Sequence, residues 1–233
     1  MRVLVTRPLE DAERTAQNLA SLGHDAVISP LLEIVYRDGP PVTLNDVQAL
    51  LATSANGVRA FTRRNGDRKA ALFAVGPQTA SIARAAGFSE VRSADGDAVA
   101  LADAVAKWAK PEGGILLHIC GARTRGGLAA SLEKKGFRIR SAVLYEARIA
   151  DTLPELASVA LRSGAIDAVM LYSPMTARVF AKLVAEAGLQ DAVRNLTGIV
   201  ISRAAADALQ PLAFREIRIA ATPDQSAMLT SLA

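Results

Sequence analysis

Cysteine and histidine are scarce in this 233-residue chain, which contains one cysteine, Cys120, and two histidines, His24 and His118. A single cysteine cannot form an internal disulfide, and we therefore expect a cytoplasmic protein. Two histidines and one cysteine cannot supply a typical structural zinc site. We expect no metal site, since any metal would need carboxylates or a substrate as its ligands.

Aromatic residues and long apolar runs are also scarce. Aromatic side chains make up 4% of the chain, which leaves few rings for stacking nucleic-acid bases. The 27 lysines and arginines exceed the 23 acidic residues only slightly, and they are spread along the chain. No stretch approaches the roughly 18 apolar residues of a membrane span, and the opening MRVLVTRP is too short an apolar run for a secretory signal. Nucleic acid and membranes are therefore poor partners, whereas a small anion is a better one.

Hydrophobic residues make up 51% of the chain, enough for burial to offset the entropy lost on ordering. The length suits one large domain or two of roughly 100–130 residues. Short apolar or β-branched runs alternate with longer alanine-rich amphipathic stretches, a rhythm typical of βα units on a parallel sheet. About five such units fit in each half. The sequence therefore predicts an α/β protein with two flavodoxin-sized lobes.

The predicted elements follow this alternation. We predict strands at Val3–Val5, Ala26–Ile28, Ala49–Thr53, Ala71–Val75, Glu90–Arg92, Ile115–Ile119, Arg138–Leu144, Ala168–Tyr172, Gly198–Ser202 and Glu216–Ile219. We predict helices at Asp11–Leu22, Asn56–Arg64, Pro77–Ala86, Val99–Lys107, Arg125–Lys135, Leu153–Arg162, Met175–Ala187 and Arg203–Leu209.

Three segments of the first half resemble three segments of the second half, in the same order. Their offsets grow from 113 to 119 to 126 residues. The matched segments are 23–33 with 136–146, 54–61 with 173–180, and 88–92 with 214–218. This pattern indicates two related halves, and hence two lobes with one cleft. Chance similarity among alanine-rich helices is the alternative.

Two candidate linkers follow strands at equivalent places in the halves, near 33–37 and near 144–150. If both connect the lobes, the chain leaves the first lobe early and returns to it late. The predicted domains are therefore residues 1–36 with 149–233 as lobe one, and residues 37–148 as lobe two.

Four turns after predicted strands carry small or hydroxylated residues, at 53–57, 76–79, 121–125 and 172–176. Ligands of open parallel sheets bind beyond the carboxyl ends of the strands, where helix N-termini present free N–H groups. Ser54, Gly76 and Ser173 stand where N-caps belong, and Pro77 and Pro174 follow at the first helical position. Helix capping alone explains any single turn, but several turns directed into one cleft would bind carboxylates or phosphates. The candidate binding residues in these turns are Thr53, Ser54, Asn56, Gly76, Gln78, Thr79, Gly121, Tyr172, Ser173 and Thr176.

Arginines lie beside two of the predicted strand ends. Arg7 follows the first strand, and Arg123 and Arg125 follow the glycine that ends the central one. The planar guanidinium can bind both oxygens of a carboxylate, although an ordinary surface arginine is the alternative. The segment 121–126 has the wrong glycine spacing for a P-loop or a dinucleotide-binding turn. Nucleotide binding is therefore a poor interpretation.

Catalytic side chains are few. His118 and Cys120 lie within an apolar run, which predicts a buried core histidine and an inert buried thiol. Tyr145 stands beside Glu146 at the end of a strand, next to a predicted linker. A phenol with a pKa near 10 can donate a proton at neutral pH. Tyr145 is therefore the candidate catalytic residue, with simple packing as the alternative.

Together these segments resemble the uroporphyrinogen-III synthase family over nearly the whole chain. Each motif is short, but their order and spacing are specific. The motifs are Val3-Leu4-Val5-Thr6-Arg7-Pro8, Ala52-Thr53-Ser54-Ala55-Asn56-Gly57-Val58, Ala74-Val75-Gly76-Pro77-Gln78-Thr79-Ala80, Cys120-Gly121-Ala122-Arg123, Leu144-Tyr145-Glu146 and Tyr172-Ser173-Pro174. The chain departs from the family in its last third, where Ser202-Arg203-Ala204-Ala205 replaces a Gly-Pro-x-Thr turn.

The resemblance implies two flavodoxin-like parallel-sheet lobes joined by a two-stranded connector, with lobe one built from both ends of the chain. It implies a cyclisation of the linear tetrapyrrole hydroxymethylbilane to uroporphyrinogen III, with inversion of ring D and loss of water. No cofactor or metal is implied. The substrate carries eight carboxylates and would come from hydroxymethylbilane synthase. We expect a monomer.

Two other interpretations stay open at this stage. A cytoplasmic two-lobe binding protein or sensor for a small polyanionic ligand would share the hinge and the strand-end turns. A nucleotide-dependent transferase would need a phosphate loop and acidic metal ligands, for which the sequence offers no clear candidates.

Overall fold

The structure, a computed structural model, describes residues 1–123 and 127–232. In this part of the chain eleven strands alternate with nine α-helices. Their bounds are β1 (Arg2–Val5), α1 (Leu9–Ser21), β2 (Asp25–Ile28), β3 (Leu32–Tyr36), β4 (Val47–Ala52), α2 (Ala55–Arg64), β5 (Ala71–Ala74), α3 (Pro77–Ala85), β6 (Val91–Ser93), α4 (Ala98–Trp108), β7 (Ile115–Gly121), α5 (Leu128–Lys134), β8 (Arg138–Ile149), α6 (Glu155–Arg162), β9 (Ala168–Leu171), α7 (Pro174–Glu186), β10 (Thr197–Val200), α8 (Arg203–Asp207), β11 (Glu216–Ile219) and α9 (Gln225–Thr230). Short 3-10 turns occupy Pro111–Gly113 and Asp191–Val193.

The chain divides into two compact units. The terminal unit combines Met1–Glu33 with Arg148–Ala233, and the central unit is Ile34–Ala147. The chain crosses from one unit to the other within β3 and again within β8. These are the two places where the sequence suggests linkers.

The residue pattern made 33–37 a linker and no strand, whereas the family resemblance implied a two-stranded connector; in the structure this segment belongs to strand β3. It lies beside β8 at the edge of a six-stranded sheet. The Arg37 N–H donates to the Leu144 carbonyl and the Ala150 N–H donates to the Leu31 carbonyl, so the two strands run in opposite directions. This pairing also explains why β8 continues to Ile149, five residues beyond the predicted end.

In the terminal unit, five parallel strands lie in the order β2-β1-β9-β10-β11. Helices cover both faces, as an all-parallel sheet requires. Leu4 and Phe180 belong to the core under α6, α7 and α8. Val5, Leu19 and Met228 belong to the core under α1 and α9. The prediction omitted α9, which buries only one residue, Met228, on its short length.

In the central unit, the sheet has the order β3-β8-β7-β4-β5-β6, and β8, β7, β4, β5 and β6 are parallel. Helices α2 and α3 cover one face, where Leu117 of the sheet shares a core with Phe61 of α2. Helices α4 and α5 cover the opposite face, where Leu51 of the sheet shares a core with Leu101 of α4. The central unit is therefore a second three-layer α/β structure with its own two-sided core.

The two sheets have the same spatial order although the chain enters them at different strands. Read from one edge, β2, β1, β9, β10 and β11 of the terminal unit correspond to β8, β7, β4, β5 and β6 of the central unit. The repeated segments fall on corresponding elements: 54–61 and 173–180 on α2 and α7, 88–92 and 214–218 at β6 and β11, and 23–33 and 136–146 at β2 and β8. This agreement supports the interpretation of two related halves.

Each sheet has one point where the strand order reverses direction. It lies between β1 and β9 in the terminal unit and between β4 and β7 in the central unit. The helices that follow neighbouring strands at such a point diverge to opposite faces and leave a crevice beyond the carboxyl ends. The residues to inspect for function are therefore those just after β1, β9, β4 and β7.

Helix α2 approaches β7 closely because residue 57 is glycine. A Cβ on Gly57 would lie 2.5 Å from the backbone oxygen of Ile119. An added methyl group there must push the helix away from the strand.

We expect Gly57→Ala to lower the free energy of unfolding by about 1–3 kcal/mol, the usual cost of overpacking a core. Urea titration followed by circular dichroism measures it. Gly66→Ala is the control, since a Cβ there meets no described atom within 4 Å. Equal stability of the two variants would contradict the proposed close approach.

Candidate active site

The carboxyl edge of the central sheet brings together residues from two strand ends and from the interior of β8, where Tyr145 lies although the sequence placed it at the end of a strand. Thr53 and Ser54 follow β4, Gly121 ends β7, and Tyr145 lies in β8 beside it. Thr53, predicted as the last residue of its strand, lies just after it. This cluster sits at the switch point between β4 and β7, where ligands of such sheets commonly bind.

Tyr145 lies where the pairing of β7 and β8 becomes irregular. Cys120 pairs with Val143 but Gly121 pairs with Tyr145, so Leu144 is bulged out of the ladder. Side chains normally alternate between faces, yet Leu144 and Tyr145 both pack against the core under α2. The bulge therefore turns Tyr145 to the same face as its neighbour, an effect that bulges often have beside active sites.

The phenol of Tyr145 is partly buried and lies close to the Ser54 side chain. Burial raises the pKa of Tyr145, a hydrogen bond with the Ser54 side chain offsets part of this rise, and the nearby Cys120 adds to it. The net effect is a pKa above the usual value of 10. Tyr145 is therefore protonated at neutral pH and can act as a donor.

Ser54 also caps α2, as its position in the sequence indicated. Its hydroxyl oxygen accepts a hydrogen bond from the Asn56 N–H at 3.2 Å. The Asn56 side chain in turn accepts from Arg59 at 2.8 Å. Ser54 thus links the N-terminus of a helix to the phenol of Tyr145.

The turn after β5 places a bare helix N-terminus at the same edge. Gly76 is the N-cap of α3 and has no side chain to cap it, and Pro77 follows as the first helical residue. Gln78 is exposed and Thr79 is buried. The N–H groups of the first turn of α3 are therefore the groups that this turn offers to an anion.

Arg123 follows β7 and is exposed. This exposure is compatible both with ligand binding and with the alternative of an ordinary surface arginine. Arg125, the second arginine predicted for this turn, lies outside the described residues.

In the terminal unit, Arg7 is engaged within its own unit and is only 9% exposed. Its guanidinium lies 3.3 Å from the Asp11 carboxylate and donates to Gln225 Oε1 at 2.8 Å. A longer bond of 3.4 Å reaches Thr15, and the guanidinium stacks 4.1 Å from the ring centre of Tyr172. Arg7 is therefore not an ordinary surface arginine. Its guanidinium is already bound to partners inside the protein. It would have to leave these partners to bind both oxygens of a ligand.

Tyr172 and Ser173 follow β9 at the switch point of the terminal sheet. Burial raises the pKa of Tyr172, and the positive charge of Arg7 with hydrogen bonds from Thr15, Gln225 and Arg7 counteracts it. The phenol is therefore directed into its own unit. The alternation of residue types did not reveal Gln225, because α9 was not predicted.

The turn after β9 repeats the capping seen at Ser54. Ser173 accepts from the Thr176 N–H at 3.0 Å, and the two hydroxyls lie 2.8 Å apart. Thr176 is 5% exposed. Ser202, in the turn where the chain departs from the family pattern, caps α8 through the Ala205 N–H.

His118 is buried in β7, as predicted, and its Nε2 lies 3.2 Å from the Thr53 hydroxyl. Burial lowers its pKa below the usual 6.5, so it is neutral at pH 7. Within the described residues, no group of three or more His, Cys, Asp or Glu side chains is arranged to hold a metal ion. The described helices also lack the length and apolar character needed to cross a membrane.

The depressed pKa of His118 predicts a loss of stability in mild acid. Below about pH 6.5 the unfolded chain takes up a proton that the folded chain does not, so the free energy of unfolding falls with falling pH. The slope reaches at most about 1.4 kcal/mol per pH unit. Urea unfolding at pH 7.5 and 5.5 should show a smaller decrease for His118→Gln than for the wild type. The control His24→Gln removes the other histidine and should behave like the wild type; a control that matched His118→Gln would contradict the assignment.

Comparison with known proteins gives one consistent result. The sequence model described as uroporphyrinogen-III synthase HemD matches residues 13–230. The uroporphyrinogen-III synthetase from Helicobacter pylori is 18% identical with a TM-score of 0.65, over 99% of this chain and 97% of that one. A mutant uroporphyrinogen III synthase from Thermus thermophilus is 18% identical with a TM-score of 0.53, over 100% of this chain and 97% of that one.

At 18% identity these structures show a shared fold. No curated protein matches the chain significantly. The family pattern, in contrast, extends over almost the entire sequence. The chain therefore belongs to the uroporphyrinogen-III synthase family.

Proposed function

We propose that the central unit carries out the cyclisation of hydroxymethylbilane at the carboxyl edge of its sheet, with Tyr145 as the catalytic residue. Membership of the family supports the reaction, which converts the linear tetrapyrrole to uroporphyrinogen III in tetrapyrrole biosynthesis. The observation that supports the site is the Tyr145 ring, packed against Gly121 at the switch point with Ser54 close to it.

The reaction depends more on the orientation of the substrate than on strong acids or bases. Electron density from a pyrrole nitrogen expels the terminal hydroxyl and gives an azafulvene. Attack by a substituted carbon of ring D then forms a spirocyclic intermediate, which fragments and recloses with that ring inverted. Spontaneous closure without inversion gives the type I isomer. The protein must therefore favour one conformation, through contacts that orient the chain and place charge.

Tyr145 assists the first step by donating a hydrogen bond or a proton to the departing hydroxyl. Ser54 Oγ accepts from the Asn56 N–H, so its own hydroxyl proton can be donated to the phenol oxygen of Tyr145. The phenol then keeps its proton for the substrate. Proton transfer from Tyr145 lets the leaving group depart as water, which leaves a tyrosinate beside a cationic, N-protonated azafulvene. The proton that the pyrrole carbon loses when the ring recloses and becomes aromatic again returns to the tyrosinate.

The eight carboxylates of the substrate need several anion-binding groups. We assign this role to the helix N-termini and strand ends predicted from the sequence. The residues are Thr53, Ser54, Asn56, Gly76, Gln78, Thr79, Gly121 and Arg123 in the central unit, and Tyr172, Ser173 and Thr176 in the terminal unit. Arg7 supports the terminal edge by fixing Tyr172, since its guanidinium already binds Asp11.

The proposal also includes the setting of the enzyme. It acts as a cytoplasmic monomer that uses no cofactor or metal and receives its substrate from hydroxymethylbilane synthase. A polyanion sensor is the second candidate, because strand-end turns alone would serve it equally well.

Incubation with hydroxymethylbilane decides between these functions. The product isomers are oxidised to porphyrins and separated by chromatography. We expect the type III isomer in excess, formed faster than spontaneous closure. Formation of the type I isomer alone, at the spontaneous rate, would refute the enzymatic function.

Replacement of Tyr145 tests its role. We expect Tyr145→Phe to lower kcat roughly 10²-fold, at the lower end of proton-transfer contributions, while the free energy of unfolding changes little. Ser173→Ala is a suitable comparison and should cost less activity, because the backbone N–H groups of α7 remain. Wild-type turnover by Tyr145→Phe would remove Tyr145 from the mechanism.

A further inference from the structure

The ring of Tyr145 occupies the space that a side chain at position 121 would need. A Cβ on Gly121 would lie 2.8 Å from both Cε2 and Cζ of that ring and 3.3 Å from its hydroxyl oxygen. Contacts under 3.0 Å do not occur for real side chains, so the ring and any larger residue exclude each other.

We propose that Gly121 is a positioning residue, which holds the hydroxyl of Tyr145 at Ser54 by letting the aromatic ring lie directly against strand β7. The proposal rests on the catalytic role of Tyr145 stated above. It assigns to Gly121 a function through that ring, beyond the substrate contact suggested by its place in a strand-end turn.

Backbone conformation does not explain the glycine at this position. Gly121 is the last residue of β7 and has no positive φ, unlike Gly114 with φ of 120°. Any residue could adopt its backbone. The space above its Cα is therefore the feature that requires glycine.

Strand geometry places that space on the correct face. Leu117 and Ile119 belong to the core under α2, and Gly121 follows at the next position on the same face. The bulge at Leu144 turns the Tyr145 ring to this face as well. The cap of α2, Ser54, lies at the end of the helix that covers it. The absence of a side chain at Gly121, the bulge at Leu144 and the helix cap Ser54 therefore all act on the position of the Tyr145 phenol.

The direct test is Gly121→Ala, assayed with hydroxymethylbilane. The methyl group should displace the ring and its hydroxyl by an ångström or more, and such a shift can lower kcat about tenfold or more. We expect KM to change less than kcat and the proportion of type I isomer to rise. The control, Gly66→Ala, should retain wild-type kcat, since its Cβ meets no described atom within 4 Å.

A double-mutant cycle separates positioning from general damage. If Gly121 acts through the hydroxyl of Tyr145, then Gly121→Ala should cost little further activity once Tyr145→Phe has removed that hydroxyl. An equal loss of kcat from Gly121→Ala in both backgrounds would overturn the proposal. So would wild-type kcat for Gly121→Ala when Tyr145→Phe is impaired, and the proposed function would then still stand.

A folding defect is tested with a second pair of variants. If Gly121→Ala does not fold, the variant that combines it with Tyr145→Ala removes the ring and should restore folding, as measured by thermal unfolding. Failure of the combined variant to fold would show that the methyl group clashes elsewhere, which contradicts the proposal. Wild-type activity of Tyr145→Phe alone would end both the catalytic role and the positioning role, whereas absence of any type III product from the unaltered protein would end the enzymatic function itself.

Discussion

Parallel pairing of the strands is the constraint on which the rest of this structure depends. Successive parallel strands need a crossover, and the helices that provide it cover both faces of each sheet. The parallel strands of one sheet then end at the same edge, where most of them are followed by a helix that begins with unpaired N–H groups. Turns that are far apart in sequence, such as those at Ser54 and Gly121, meet there without any long-range signal in the sequence. The candidate site is thus a direct consequence of strand direction.

The shared strand order of the two units makes their differences informative. At the switch point of the terminal unit, Arg7 and Tyr172 are held by an internal ion pair and hydrogen bonds. At the corresponding point of the central unit, Gly57 lets α2 lie close to β7, and Gly121 leaves space that the Tyr145 ring fills, near Ser54. The edge of the terminal unit is fixed by buried polar contacts. The edge of the central unit carries a phenol that can donate a hydrogen bond or a proton. This difference favours the central unit as the place of the chemistry.

Much of the fold follows from local patterns, because apolar strands and amphipathic helices alternate with clear caps at Ser54 and Ser173. Strand β3 does not follow from local patterns. Its partly exposed residues are typical of a linker, and its hydrogen bonds with β8 are what make it a strand. Helix α9 was missed for a similar reason, as it is only six residues long. The turns of the site could be predicted from strand ends. The bulge at Leu144 and the internal engagement of Arg7 could not, because both depend on neighbours distant in sequence.

The buried phenol agrees with a reaction driven by its own substrate. Burial raises the pKa of Tyr145 above that of a free tyrosine, which keeps the phenol protonated at neutral pH, so that it enters the reaction as a weak donor. A strong acid near the pyrroles would protonate carbon and promote unselective closure, whereas a weak donor assists only a hydroxyl that the ring nitrogen already expels. Burial also lowers the pKa of His118 and keeps its ring neutral. The ring lies within hydrogen-bond distance of the Thr53 hydroxyl. A site with few charges in its interior therefore suits a substrate that brings its own reactivity and needs chiefly to be held.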